Sequence, residues 1–218
     1  MIYTRVISLI TKDDSTVIEL SNSTKIEVLN LHFCEFNLRV NSEINESVFF
    51  ALERYSSYRE PIIYGMGLLT KRYYTSATLL VKIHDKYGYL DSSDDDNIIN
   101  LFKEQGLIDD KWYAEIYCLE KLDHNWSINK ILHALRLKGI NEIPLEKDIL
   151  CDLELPSLIR NIHLQERMVK SAGLKGKEAE NFIVHKLVNK GFVHTRIREV
   201  LRDEEFDTAL WKKDEGIA

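Results

Sequence analysis

Over residues 1–30 the chain alternates apolar and polar positions with a period of two. Tyr3-Thr4-Arg5-Val6-Ile7-Ser8-Leu9-Ile10 is rich in β-branched and aromatic residues, and Lys12-Asp13-Asp14-Ser15 is a polar turn. Two more runs, Thr16–Leu20 and Thr24–Leu29, are separated by Ser21-Asn22-Ser23. Alternating runs punctuated by small polar residues predict a three-stranded antiparallel meander. Three strands are marginal alone, so the meander must rest on helices. From about residue 30 the apolar spacing becomes helical, with Val48, Phe49, Ala51 and Leu52 leading into a helix that ends near residues 55–57.

Beyond that helix the chain repeats itself at a spacing of 52 residues. Leu79, Ile131 and Ile183 correspond, as do Leu80, Leu132 and Val184, and Ile83, Leu135 and Leu187. Lys86, Lys138 and Lys190 follow in register; Gly139 and Gly191 match, and Gly88 lies one place late. Positions i, i+1 and i+4 form one helical face, and a glycine past the last turn ends the helix. Thr75 and Ser127 are the expected N-caps of this helix in the first two units.

Two further helices flank each repeated one. They are expected at about 58–70 and 93–105, at 110–122 and 144–153, and at 157–171 and 193–203, with Pro144 in a first turn. The reading is a mainly α protein of tandem three-helix-bundle repeats in an elongated curved array, with a small N-terminal antiparallel β meander. The segments are 1–57 (meander plus helix), repeats 58–108, 109–154 and 155–205, and an acidic tail, 206–218. A unit of about 50 residues buries too little surface to stand alone, so stacking of units is expected.

Composition narrows the function. The 218 residues carry a net charge of −6, with 44% hydrophobic and 29% charged residues and only 9 Gly and 3 Pro, as in a helical globular protein. The charge is uneven: residues 91–154 hold 15 acids and 7 bases, whereas residues 155–202 hold 10 bases and 4 acids. Such asymmetry predicts two faces with different partners. The start of the chain does not read as a signal peptide, and no run is long enough for a membrane span. Cys34, Cys118 and Cys151 fit neither a disulfide framework nor a zinc site, so a cytoplasmic setting with free thiols is expected, in which the sequons at Asn22, Asn45 and Asn125 carry no sugar.

One motif stands out: Gly106-Leu107-Ile108-Asp109-Asp110-Lys111-Trp112-Tyr113-Ala114-Glu115-Ile116-Tyr117. Gly106 should end one helix and Asp109 or Asp110 cap the next, with Trp112, Tyr113, Ile116 and Tyr117 as its buried face and Ala114 admitting a neighbour. The motif resembles the signature of the RecX family. The helix–turn link Leu69-Thr70-Lys71-Arg72-Tyr73-Tyr74-Thr75 and the helix Leu132-His133-Ala134-Leu135-Arg136-Leu137-Lys138-Gly139-Ile140 resemble further family segments, and the strands followed by Phe36-Asn37-Leu38 resemble the β-extension of Gram-positive-type members. The resemblance covers nearly the whole chain, although family members are often basic in more than one repeat and this chain is acidic through its middle. It implies a cytoplasmic, monomeric regulator that lies along the RecA recombinase filament on DNA and limits its activity in recombination and the SOS response. A helical-repeat protein that binds DNA without RecA is one alternative, and a purely structural interaction module for a different partner is another.

Candidate contacts to phosphate or to acidic protein surface are Arg72, Lys86, Lys138, Lys175, Lys177, Lys186, Lys190, Arg196, Arg198 and Arg202. Lys86, Lys138 and Lys190 equally suit helix C-termini as partners of the dipole. Phe182 and Phe192 share the apolar face and are expected in the core. Asp91-Ser92-Ser93-Asp94-Asp95-Asp96 is no calcium loop: Asp96 stands where glycine is required and Phe102 where glutamate is, so a first helical turn rich in acids is expected. The seven histidines form no metal pattern, His133 and His185 being equivalent through the repeat. No nucleotide-binding loop or nucleophile elbow occurs, and neither an enzyme nor a cofactor is expected.

Overall fold

The structure is a computed structural model and describes residues 4–202. The tail expected at 206–218 lies outside the described residues, as does the end of the 155–205 repeat.

Four strands form the sheet, in the antiparallel order β3-β2-β1-β4: β1 (Thr4–Thr11), β2 (Ser15–Leu20), β3 (Lys25–Leu29) and β4 (Glu43–Ile44). The expected meander supplies the first three, with Ile18 opposite Ile26 and Ile10 opposite Val17. The fourth strand was not expected, because two residues are too few to show a period. Val6, Ile18, Leu20, Ile26 and Val28 point to one face, where Ile44 and Leu52 join them. Leu52 comes from α2 (Glu46–Ser57), whose first turn is capped by the Asn45 side chain accepting from Val48 N–H. The short helix α1 (Asn30–Phe33) and a 3-10 turn, Cys34–Phe36, lead out of the sheet.

The remaining helices are α3 (Arg59–Leu69), α4 (Ser76–Tyr87), α5 (Ser92–Glu104), α6 (Asp110–Asp123), α7 (Ile128–Arg136), α8 (Lys147–Ala172), α9 (Gly176–Asn189) and α10 (His194–Arg202). The chain divides into two compact units. Among the described residues, one holds 4–74 and 79–108, and the other holds 75–78 and 109–202. In the first unit Ile62, Leu79, Ile83, Ile98 and Phe102 make one core, joined by Leu29 of β3. In the second unit Ala114, Cys118, Leu122, Ile131 and Leu135 make one core, and Leu158, Ile162, Ile183, Leu187 and Ile197 another. The positions matched by the 52-residue spacing, Leu79, Ile131 and Ile183, are all fully buried, and so are Ile83, Leu135 and Leu187.

Two expectations fail. The helices expected at 144–153 and 157–171 are one helix, α8, and Pro144 precedes it. No glycine or N-cap interrupts residues 147–172, and Pro156 is carried inside the helix. The buried face of α6 is also different. Ala114, Cys118 and Leu122 are its buried positions, one helical stripe at i, i+4 and i+8. Tyr113 and Tyr117 are half-buried at its flank, while Trp112 and Ile116 remain 39% and 46% exposed. The small side chains of Ala114 and Cys118 thus occupy the buried stripe, while the larger Trp112 and Ile116 lie off it.

Candidate functional site

The second unit contains two joints built alike, each pairing an N-cap hydroxyl with the carbonyl of a repeated lysine. The Thr75 hydroxyl donates to the Lys138 carbonyl at 2.7 Å, and the Ser127 hydroxyl donates to the Lys190 carbonyl at 2.7 Å. Both cap hydroxyls also accept from their own helix, from Thr78 N–H and Lys130 N–H. The next residue on each helix gives its N–H to a carboxylate: Ser76 to Asp110 at 2.8 Å, and Ile128 to Glu154 at 2.7 Å. The glycine after each lysine has a positive φ, 79° at Gly139 and 93° at Gly191, and its open side packs on Ala77 and Ser127 respectively. The glycines thus serve both helix termination and close approach.

These joints fix the backbones of two candidate cations, while the side chains find partners inside the protein. Lys138 Nζ lies over the Tyr117 ring, 5.7 Å from its centroid, and Lys190 Nζ donates to Asn161 Oδ1 at 2.8 Å. In the first unit the equivalent Lys86 lies over the Tyr64 ring at 4.1 Å, and the Arg72 guanidinium covers Tyr74 at 4.5 Å. The three repeated lysines therefore reach back to side chains of α3, α6 and α8. Arg196 lies 3.4 Å from Glu199, and Arg198 lies 3.8 Å from Glu180. Lys175 and Lys177 are exposed at the start of α9, Lys186 is exposed in its last turn over Phe182, and Arg202 is exposed at the end of α10.

Helix geometry does not gather the α9 lysines on one line. Lys177 and Lys186 are separated by about two and a half turns and face opposite ways, whereas Lys175 and Lys186, about three turns apart, share a face. Lys175 and Lys177 also stand at the positive end of the helix dipole, which does not favour a cation.

A second basic group was missed in the sequence. Lys130 Nζ sits 3.9 Å from the Trp126 centroid, and Lys121 Nζ lies over both Tyr117 and Trp126 at 5.0 and 5.8 Å. Tyr113 stacks on Tyr117. With Lys138 this makes three lysines around an aromatic cluster inside the acidic stretch 91–154. The i, i+4 pair Tyr113/Tyr117 was visible in the sequence, but the net charge of the stretch concealed the local one.

The acids at 91–96 behave as expected. Asp94 and Asp95 lie in the first turn of α5 and pair with Arg54 and His84. Phe192 is buried and Phe182 half-buried, as the apolar face predicted. His133 and His185 are both exposed. Among the described residues no group of three or more His, Cys, Asp or Glu side chains is placed to hold a metal ion, and no helix is long and apolar enough to cross a membrane.

No family model matches the chain, and no curated protein matches it. Solved structures do. The crystal structure of regulatory protein RecX superposes with a TM-score of 0.68 at 16% identity, covering 92% of this chain and 100% of that one. The crystal structure of RecX from Lactobacillus salivarius superposes with a TM-score of 0.55 at 19% identity, covering 68% of this chain and 96% of that one.

Proposed function

We propose that this chain, which has the RecX fold, is a regulator that binds the RecA–DNA filament and restrains recombinase, ATPase and co-protease activity. The observation that carries the reading is the fold likeness to a regulatory protein over 92% of the chain. The chain acts by binding and not by catalysis, as a cytoplasmic monomer whose three cysteines stay reduced. Exposed cations on α9 and α10, Lys175, Lys177, Lys186 and Arg202, supply contacts to phosphate or to acidic recombinase surface. Arg198, paired with Glu180 of α9, and Lys190, bonded to Asn161 of α8, serve mainly to tie helices of the third repeat together. Several weak contacts presented by one compact unit add through effective concentration.

The test mixes the protein with RecA, single-stranded DNA and ATP and follows ATP hydrolysis. The wild-type chain should slow hydrolysis, and the joint substitution Lys175→Glu, Lys177→Glu, Lys186→Glu and Arg202→Glu should lose most of that effect with an unchanged circular dichroism spectrum. If the contacts are to phosphate, the salt slope of binding should fall by about 0.7 to 0.9 for each contact removed. Hydrolysis indifferent to the wild-type chain refutes the reading.

A second reading is supported by the cluster of Lys121, Lys130 and Lys138 around Tyr117 and Trp126: direct binding of DNA without a recombinase. Aromatic faces and cations together suit single strands. Salt-dependent binding to bare single-stranded DNA, lost in Lys121→Glu with Lys130→Glu, would favour it.

A further inference from the structure

In the first unit a cleft of about 220 Å³ opens between α5 and the α1–α2 region. Its α5 wall is one helical stripe, Asn97, Asn100, Leu101 and Glu104, spaced i, i+3, i+4 and i+7. Opposite stand His32, Glu35, Tyr55 and Tyr58. The aromatic groups form a fixed stack: the His32 ring lies on Tyr55 with centroids 4.3 Å apart, and Tyr58 meets both edge-on. Tyr55 Oη donates to Glu35 Oε2 at 3.0 Å, which sets that carboxylate at the mouth.

His32 is only 5% exposed, and its Nδ1 has no hydrogen-bond partner. An orphaned polar atom in a buried side chain is costly unless something completes it. Burial pushes the His32 imidazole down from its ordinary pKa, with Glu35 opposing, which favours the neutral ring. The lining then holds two carboxylates, two amides, tyrosine rings and no cation.

We propose that this cleft binds a guanidinium group, presented as an arginine side chain by a protein partner. The chemistry selects the group. Carboxylates and amide oxygens accept from its several N–H donors, and its planar face stacks on an aromatic ring. The volume suits one side chain: it falls below the ~300 Å³ at which pockets for drug-sized ligands begin. The binding is independent of the identification of the partner as RecA.

The test titrates the full-length protein with N-acetyl-arginine amide, N-acetyl-lysine amide or spermidine, watching the side-chain amides of Asn97 and Asn100 and the His32 ring by nuclear magnetic resonance. The arginine probe should give saturable shifts at these groups and bind at least threefold more tightly than either other probe. Glu104→Gln should weaken it at least threefold without altering the thermal melt, while Glu53→Gln, on α2 outside the lining, should leave it unchanged. No saturable shift overturns the proposal. Equal binding of spermidine overturns it too, because the carboxylates would then merely gather cations, and so does Glu104→Gln binding like wild type.

Discussion

The two joints of the second unit share a plan and differ in their surroundings. At the first, the carboxylate on the helix N-terminus is Asp110, half-exposed, and Lys138 lies over a tyrosine. At the second, it is Glu154, 7% exposed, and Lys190 donates into a buried amide of α8, where Asn161 and Ser157 bond the carbonyls of Asn125 and Trp126. The same backbone geometry is thus held by a wet contact in one place and a buried polar network in the other. The repeat fixes the cap hydroxyl, the lysine carbonyl and the glycine, and leaves each joint to find its own carboxylate.

The largest effects should show how far the two joints are equivalent. Leu135→Ala and Leu187→Ala each empty a fully buried site at matched positions, and each should cost about 2 to 5 kcal/mol in denaturant melts. A shift below about 0.5 kcal/mol at either would mean that the repeat register does not govern packing there. Gly139→Ala and Gly191→Ala come next, at about 1 to 3 kcal/mol each, since both strain a left-handed backbone and crowd the cap opposite. Gly139→Ala should cost more: its new methyl meets the Cβ of Ala77, which cannot rotate away, whereas at Gly191 it meets the Ser127 hydroxyl. Equal costs would show that the two approaches are equally tight.

The smallest effect separates the joints by pH. Burial raises the Glu154 pKa, and the Ile128 N–H and Arg196 offset only part of that. The folded state therefore holds the proton more tightly than the unfolded state, and stability from this group is present in acid and lost as pH rises above about 4.5 toward the folded pKa. Glu154→Gln should gain stability relative to wild type between pH 4.5 and 7. A difference that stays flat with pH would show that Ile128 and Arg196 fully compensate the burial.

The sequence made the repeat legible because its core positions are large aliphatics in strict register and its caps and glycines obey local rules. Ser127, Asp109 and Gly106 sit where those rules place them. The merged helix α8 was less legible: the expected break spans Pro156, ordinarily a helix-stop signal, and the long packed helix carries that proline inside it. The face of α6 was misjudged because hydrophobicity alone ranks Trp112 above Ala114, whereas a tight helix crossing ranks them the other way. The candidate cations were found by type, but their partners across the fold, Asn161 and Tyr117 among them, lie too far along the chain for any spacing rule.

Helix α8 also bears on how the second unit comes apart. Its first half sets Leu150 and Leu153 against the core of Ala114 and Leu135, and its second half contributes Leu158, Ile162 and Val169 to the core of Ile183 and Leu187. Repeat proteins often melt piecemeal, each module opening at its own free energy. Here fraying of either module would have to sever a helix of 26 residues or drag the other with it. The two modules should therefore open as one cooperative foldon, their most protected amides exchanging with solvent through a common opening.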